Sequence, residues 1–162
     1  MSTQNVKANL ADHAAIRDLI DRYTDAVNRR DWRALEATFA AGGIWDCHGP
    51  TAESRFLFEG ARNVADGIAG AVQAGEMCIQ MNHAVVIDVQ GDRASATCTL
   101  NEMFRMPDGN GMELWGIYYD DIARGADGEW RFEKRRFRTT YYEMRAFGGG
   151  LNVRFPVDPR TA

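Results

Sequence analysis

The sequence predicts an α+β domain in which N-terminal helices cover a curved antiparallel sheet. Three observations carry this. Apolar residues recur at spacings of three and four up to Arg30, alternate with polar ones from Met81 onward, and turn signals punctuate that second half at regular intervals. Helices on one face of such a sheet enclose a conical space between the two layers.

Between Leu10 and Arg30, the residues Ile16, Leu19, Ile20, Tyr23 and Val27 share one helical face, with Asp12 expected to cap the start. Asp31 then introduces a second short helix carrying Trp32, Leu35 and Phe39, which Ala41-Gly42-Gly43 ends. Ile44-Trp45-Asp46-Cys47 reads as a strand, with Arg55-Phe56-Leu57-Phe58 as its partner across Gly49-Pro50, and a third helix runs from about Ala61 to Ala74. Met81 to Val89 and Ala94 to Met106 form a hairpin across Gly91-Asp92. Glu113 to Ile122 and Trp130 to Tyr142 follow as strands after the turns Asp108-Gly109-Asn110-Gly111 and Ala126-Asp127-Gly128. Residues 1–9 read as a tail, 10–145 as the domain and 146–162 as a C-terminal extension.

A chain of 162 residues, 45% hydrophobic and 26% charged, suits one soluble unit with a real core. A formal charge of -4 removes the overall attraction that binders of nucleic acid or anionic membranes depend on, so neither partner is expected. Three cysteines without a CxxC pair suggest no disulfide framework or zinc knuckle, and a reducing compartment. With no apolar leader in MSTQNVKANLADH and no membrane-spanning run, a cytoplasmic location is expected. Scattered histidines and the absence of HExxH, GxGxxG or GxxxxGK[ST] imply no metal or nucleotide cofactor.

Histidine is the natural first candidate for proton transfer near neutral pH. His13 near the first helix start and His48 in a Gly-Pro turn read as solvated. Strict alternation places His83 with Met81, Val85 and Ile87 on an apolar face, either as a core histidine bonded to backbone or as a base aimed into the cone. The first helix offers Tyr23 on its apolar face and Asn28 at that face's edge, where both could also be plain packing and helix-end residues. On the last strand, alternation groups Trp130, Phe132, Lys134, Arg136 and Arg138. Arg138 is then either an inward anion-binding fork or a surface cation paired with the acids around Asp120 and Asp121. Trp45, Phe104, Trp115, Tyr119 and Tyr141 are the aromatic candidates for lining a substrate pocket.

The segments IRDLIDRYTDAVNRRDW, IWD, QMNHAVVIDVQGDRASAT and DGEWRFEKRRFRTTY resemble the SnoaL-like branch of the nuclear-transport-factor-2-like superfamily over about residues 10 to 145. That branch is similar to scytalone dehydratase, bile-acid dehydratase and hexachlorocyclohexane dehydrochlorinase. The resemblance implies an α+β cone, often dimeric or trimeric, and a cofactor-free lyase acting on hydrophobic rings. By position it assigns His83 as general base, Tyr23 as proton donor and Arg138 as anion stabiliser. Asn28 stands where the relatives carry an aspartate, so it can orient an imidazole but offers no charge to an imidazolium.

The expectation is therefore a dehydratase or related elimination enzyme with a hydrophobic cyclic or aromatic substrate, no cofactor, and a homodimeric or homotrimeric assembly that buries the sheet's outer face. Two other readings stand beside it. One is an isomerase or cyclase using the same base. The other is a non-catalytic binding or assembly subunit like the β subunit of ring-hydroxylating oxygenases.

Overall fold

The first helix buries the expected stripe: Ile16, Leu19, Ile20, Tyr23 and Val27 have no solvent contact. A computed structural model describes residues 3–151, with side-chain environments from residue 10 onward. Helix α1 spans Thr3–Arg29, reaching back past Leu10, so Asp12 lies within it rather than capping it. Asp12 instead accepts from Arg124 Nη2 at 2.7 Å and from Trp130 Nε1 at 3.4 Å, tying the helix to the sheet.

The helix ends at Arg30, whose φ of +57° is left-handed. The Arg30 N–H donates to the Val27 carbonyl and the Asp31 N–H to that of Ala26, a Schellman closure. An arginine is costly in that conformation, and its Nη2 donates to the Gly75 carbonyl at 2.6 Å. Asp31 then caps α2 (Trp32–Ala37), accepting from the Ala34 N–H. This break leaves Asn28 in the last turn of α1, facing the sheet edge.

The remaining elements are β1 (Phe39–His48), β2 (Arg55–Glu59), α3 (Ala61–Val72), β3 (Met77–Gln90), β4 (Arg93–Arg105), β5 (Asn110–Arg124) and β6 (Trp130–Ala146). Phe39 and Ala41-Gly42-Gly43, expected to end the second helix, already belong to β1. The β3–β4 turn forms where expected, with Gly91 at φ +66° supplying a conformation that a side chain resists.

All six strands form one sheet in the order β2-β1-β6-β5-β4-β3. It is mixed rather than purely antiparallel, because β1 pairs parallel to β6 while every other pairing is antiparallel. The helices cover its inner face, and the core lies between these layers.

Irregularities in two strands decide which side chains face inward. In β3, Asn82 pairs with Leu100 and Val85 with Cys98, so His83 and Ala84 together oppose one residue. In β6, Phe132 pairs with Ile122 but Lys134 with Asp121, making Glu133 an extra residue; a second shift leaves Thr140 extra opposite Trp115 and Gly116. Each extra residue reverses the strand's facing from that point on. At the second β6 shift, a Cβ on Gly116 would lie 2.2 Å from the Phe137 ring, so only glycine allows Phe137 to fold inward there.

Among the described residues, no helix is long and apolar enough to cross a membrane. The C-terminal extension lies outside the described residues beyond position 151.

Candidate functional site

The inner face forms a cavity of about 360 Å³, walled by α1, α3 and all six strands and by the Gly49-Pro50-Thr51 loop. Its surface is chiefly apolar and aromatic: Trp45, Phe56, Leu100, Phe104, Leu114 and Phe137 all contribute. Into this wall the fold sets a few polar side chains, among them Tyr23, Cys47, Gln80, Glu102 and Tyr118. Such a combination is the usual makeup of a small-molecule site.

Glu102 is the cavity's carboxyl group. Strand β4 turns Ala94, Ala96, Cys98 and Leu100 into the core, and the same alternation carries Glu102 and Phe104 onto the cavity wall. Gln80 Nε2 donates to Glu102 Oε2 at 2.7 Å, and the Cys78 thiol donates to the same carboxylate. Loss of water around the group outweighs both bonds and raises its pKa above the ordinary glutamate value. A carboxyl held this way exchanges protons closer to neutral pH than a surface glutamate does. The thiol of Cys47, on the same wall, is pushed up to about 12 by burial and by Glu102, which keeps it protonated and inert.

The same cavity wall carries a pair of phenols. Tyr23 and Tyr118 are fully enclosed, with their hydroxyl oxygens 3.1 Å apart. Burial raises both pKa values, so both stay neutral. Behind them, Arg135 stacks its guanidinium on three rings, 3.8 Å from the centroid of Tyr118, 4.1 Å from Tyr23 and 4.4 Å from Phe132. Its counter-ion Asp120 lies 3.6 Å from Nε, and neither charged group makes a hydrogen bond to a described residue. Burial lifts Asp120 to about 6 despite the adjacent cation. Arg135 partly offsets the desolvation of both tyrosines, which remain neutral hydroxyl donors.

Several expected site residues lie elsewhere. His83 is exposed and stacks on Trp115 across the outer face, with ring centroids 4.9 Å apart. The β3 bulge is the reason: Gln80 and Asn82 face inward before it and Val85, Ile87 and Val89 after it, which leaves His83 with Met81 outside. Arg138 is also an outer-face residue, because the extra Glu133 turns Arg135 and Phe137 inward instead. Its guanidinium binds Asp46 Oδ2 at 3.0 Å and the Asp46 carbonyl at 3.1 Å, a pairing with β1 rather than with the acids of β5. Those acids take Arg135 and Arg136.

Asn28 orients no imidazole. Its Oδ1 accepts from the Gln80 N–H at 2.7 Å and its Nδ2 donates to the Gln80 carbonyl at 2.9 Å. The side chain thus acts as one peptide of a missing strand and satisfies both backbone groups of edge strand β3 at Gln80. Thr24, one turn earlier in α1, adds a side-chain link two residues further along β3, donating to Asn82 Oδ1 at 3.0 Å.

Of the aromatic candidates, Trp45 and Phe104 line the cavity. Trp115, Tyr119 and Tyr141 stand on the outer face, the last two 43% and 55% exposed. Sequence reasoning missed Gln80, Glu102 and Tyr118. A signal for Glu102 was present: it is the one carboxyl in the apolar series Ala94, Ala96, Cys98, Leu100, Phe104. Among the described residues, no group of three or more His, Cys, Asp or Glu side chains is placed to hold a metal ion.

Comparison with known proteins agrees with this architecture. Residues 8–136 match the SnoaL-like domain family. Among solved structures, LinA superposes with a TM-score of 0.74 at 22% identity, covering 93% of this chain and 97% of its own. The hexachlorocyclohexane dehydrochlorinase LinA-type3 from Novosphingobium barchaimii gives 0.75 at 21% identity, covering 93% and 97%. A candidate scytalone dehydratase from Novosphingobium aromaticivorans gives 0.74 at 20% identity, covering 94% and 97%. No curated protein sequence matches significantly.

Proposed function

Because the chain belongs to the SnoaL-like domain family, we propose that its cavity carries out cofactor-independent proton transfer on a hydrophobic cyclic or aromatic small molecule, with elimination as the reaction and Glu102 as the proton acceptor. The observation that carries this reading is Glu102, the one carboxyl of the wall among the described residues, with a raised pKa and a bond from Gln80, in a chiefly apolar and aromatic chamber. The distant structural neighbours that are named as a dehydrochlorinase and a candidate dehydratase favour elimination.

In this mechanism, ionised Glu102 removes a proton from a carbon next to the one bearing the leaving group. The C–H electron pair becomes the new π bond as the bond to the leaving oxygen breaks. Glu102 hands its proton to the departing hydroxyl, so water leaves and the carboxylate is restored. The Tyr23–Tyr118 pair, backed by Arg135, donates to the oxygen on which negative charge develops. Gln80 holds the carboxylate in place and is itself fixed through its backbone by Asn28. Only the ionised carboxylate accepts a proton, so the rate rises with pH along a limb displaced above the ordinary glutamate value of about 4.3.

Isomerisation is the second reading, favoured because no Lys or Arg lines the cavity among the described residues to receive an anionic leaving group. The same carboxyl would then return its proton to another carbon. Incubating the protein in deuterium oxide with hydrophobic cyclic alcohols, ketones and chlorinated rings, followed by mass spectrometry, separates the two. Elimination yields products lighter by water or hydrogen chloride, whereas isomerisation yields deuterium incorporation without fragment loss. Both must vanish in Glu102→Gln. Turnover that persists in this variant contradicts the assignment, and no turnover of any compound favours a binding module.

A further inference from the structure

The sheet ends in two edge strands, β2 and β3, and the fold treats them differently. Edge β3 carries the usual protections against another strand: Asn28 occupies the Gln80 peptide, a bulge interrupts it at His83-Ala84, and Asp88 is exposed on its far half. Edge β2 is unbroken. It pairs with β1 in continuous register from Ile44–Glu59 to His48–Arg55, and no described strand pairs with its other side.

Hydrogen bonds at the two ends of the β1–β2 hairpin set which peptide groups of β2 point outward. The Gly49 N–H donates to the Ser54 carbonyl and the Gly60 N–H to the Gly43 carbonyl, both in the register of the paired residues between them. Bonded and unbonded pairs alternate along an antiparallel ladder, so Phe56 and Phe58 bond to β1. The N–H and C=O groups of Arg55, Leu57 and Glu59 therefore point away from it. The Glu59 carbonyl accepts from Asn63 Nδ2 at 2.9 Å, as an outward-pointing group can.

This outward row is complementary to itself. Paired antiparallel about Leu57, the segment Arg55-Phe56-Leu57-Phe58-Glu59 sets Arg55 against Glu59 of a second copy at each end and Leu57 against Leu57 at the centre. Cross-strand pairs of opposite charge attract where like charges repel, and a slip of two residues loses both charge pairs. Neither Arg55 nor Glu59 makes an ion pair with a described residue, and Arg55 touches His48 Nε2 through Nη2 alone, at 3.0 Å. Leu57 is 70% exposed and Phe56 37%, so pairing also removes apolar surface from water.

We propose that β2 pairs antiparallel with β2 of a second copy of this chain, joining two six-stranded sheets into one across a symmetry axis between the two Leu57 residues. The Leu57 peptide groups exchange hydrogen bonds with their equivalents, and those of Arg55 with those of Glu59 of the second copy. Phe56 lines the cavity, so Phe58 of the second copy, opposite it, extends the apolar rim of that cavity. The interface does not depend on the reaction proposed for Glu102.

Sedimentation velocity of the full chain tests this between about 1 μM and about 1 mM, where the parent is expected to pass from monomer to dimer. Glu59→Arg sets cation against cation at both ends of the interface and Arg55→Glu sets anion against anion, so each should weaken association about tenfold or more. An equimolar mixture of these two variants restores both charge pairs and should associate about as tightly as the parent. Leu57→Pro removes the central N–H, which β1 does not use, and should abolish association. Circular dichroism checks that each variant folds; should a charge variant fail to, Leu57→Pro carries the test, and the reverse. A parent monomeric throughout, folded variants that associate as the parent does, or a mixture no tighter than its components would overturn the proposal.

Discussion

The two faces of the sheet divide the chain's chemistry unequally. The outer face carries the residues that look most reactive on paper: His83 stacked on Trp115, Arg138 paired with Asp46, and the exposed rings of Tyr119 and Tyr141. The inner face carries plainer ones, Glu102, Gln80 and two tyrosines, in a chiefly apolar pocket. Environment makes the difference. A carboxyl stripped of water shifts its pKa and meets a substrate in a medium where its charge is poorly screened, while a solvated histidine or an ion-paired arginine meets mostly water.

The largest effect that sharpens this contrast is on turnover. Once the substrate screen returns a reaction, Glu102→Gln should lower the catalytic constant by about a hundredfold to ten-thousandfold, the span typical of a lost acid-base group. His83→Ala and Arg138→Ala, altered on the other face, should leave it within about twofold of the parent, since surface substitutions away from the chemistry rarely register. Steady-state kinetics of the three variants checks this, and a collapse in His83→Ala with Glu102→Gln active would exchange the roles of the faces.

A smaller effect concerns the link between helix and sheet edge. Asn28→Ala removes both bonds to the Gln80 backbone and leaves partly buried peptide groups unpaired, at a cost of about 1–3 kcal/mol in urea unfolding. Asn28→Asp keeps the acceptor for the Gln80 N–H but loses the donor to its carbonyl. It should therefore also destabilise, rather than create a better histidine partner. An increase in stability for Asn28→Asp would contradict the backbone role.

Most of the fold was legible from the sequence because periodicity and turn chemistry are local. The buried stripe of α1, the start of a second helix after Asp31, the hairpin at Gly91 and the long strands all follow from neighbouring residues. The parallel docking of β1 on β6 was not, since it joins segments far apart in the chain. The site was read less well for one physical reason. Alternation assigns faces correctly only until a strand gains an extra residue, and β3 gains one at His83-Ala84 and β6 one at Glu133. Those two bulges moved His83 and Arg138 outward and Arg135 inward. Tyr23, Trp45 and Phe104 lie on regular stretches, and alternation or helical spacing brought them to the cavity. On unbroken β4 the same alternation would have exposed Glu102 as a carboxyl on an apolar face.

The buried pair beneath the tyrosines gives an effect confined to one pH window. Asp120 has its folded pKa raised to about 6, so between the ordinary carboxylate range and that value the folded state holds a proton that the unfolded chain has released. Its contribution to stability is complete below about pH 4 and declines as pH rises toward about 6. Asp120→Asn abolishes this titration, so the difference in urea midpoint between the variant and the parent should change across that window. A difference constant with pH would mean that Asp120 titrates as an ordinary surface group.

The most direct test of the central claim, that the inner-face carboxyl is the proton-transfer group, follows Glu102 itself. Its carboxyl carbon resonance, identified by its disappearance in Glu102→Gln, should titrate with a midpoint above the ordinary glutamate value of about 4.3, and His83→Ala should leave that midpoint in place. Filling the cavity with a neutral ligand should raise it further, by excluding the remaining water. A midpoint at or below the ordinary value, unmoved by ligand, would mean that Glu102 sits in water and is not the base.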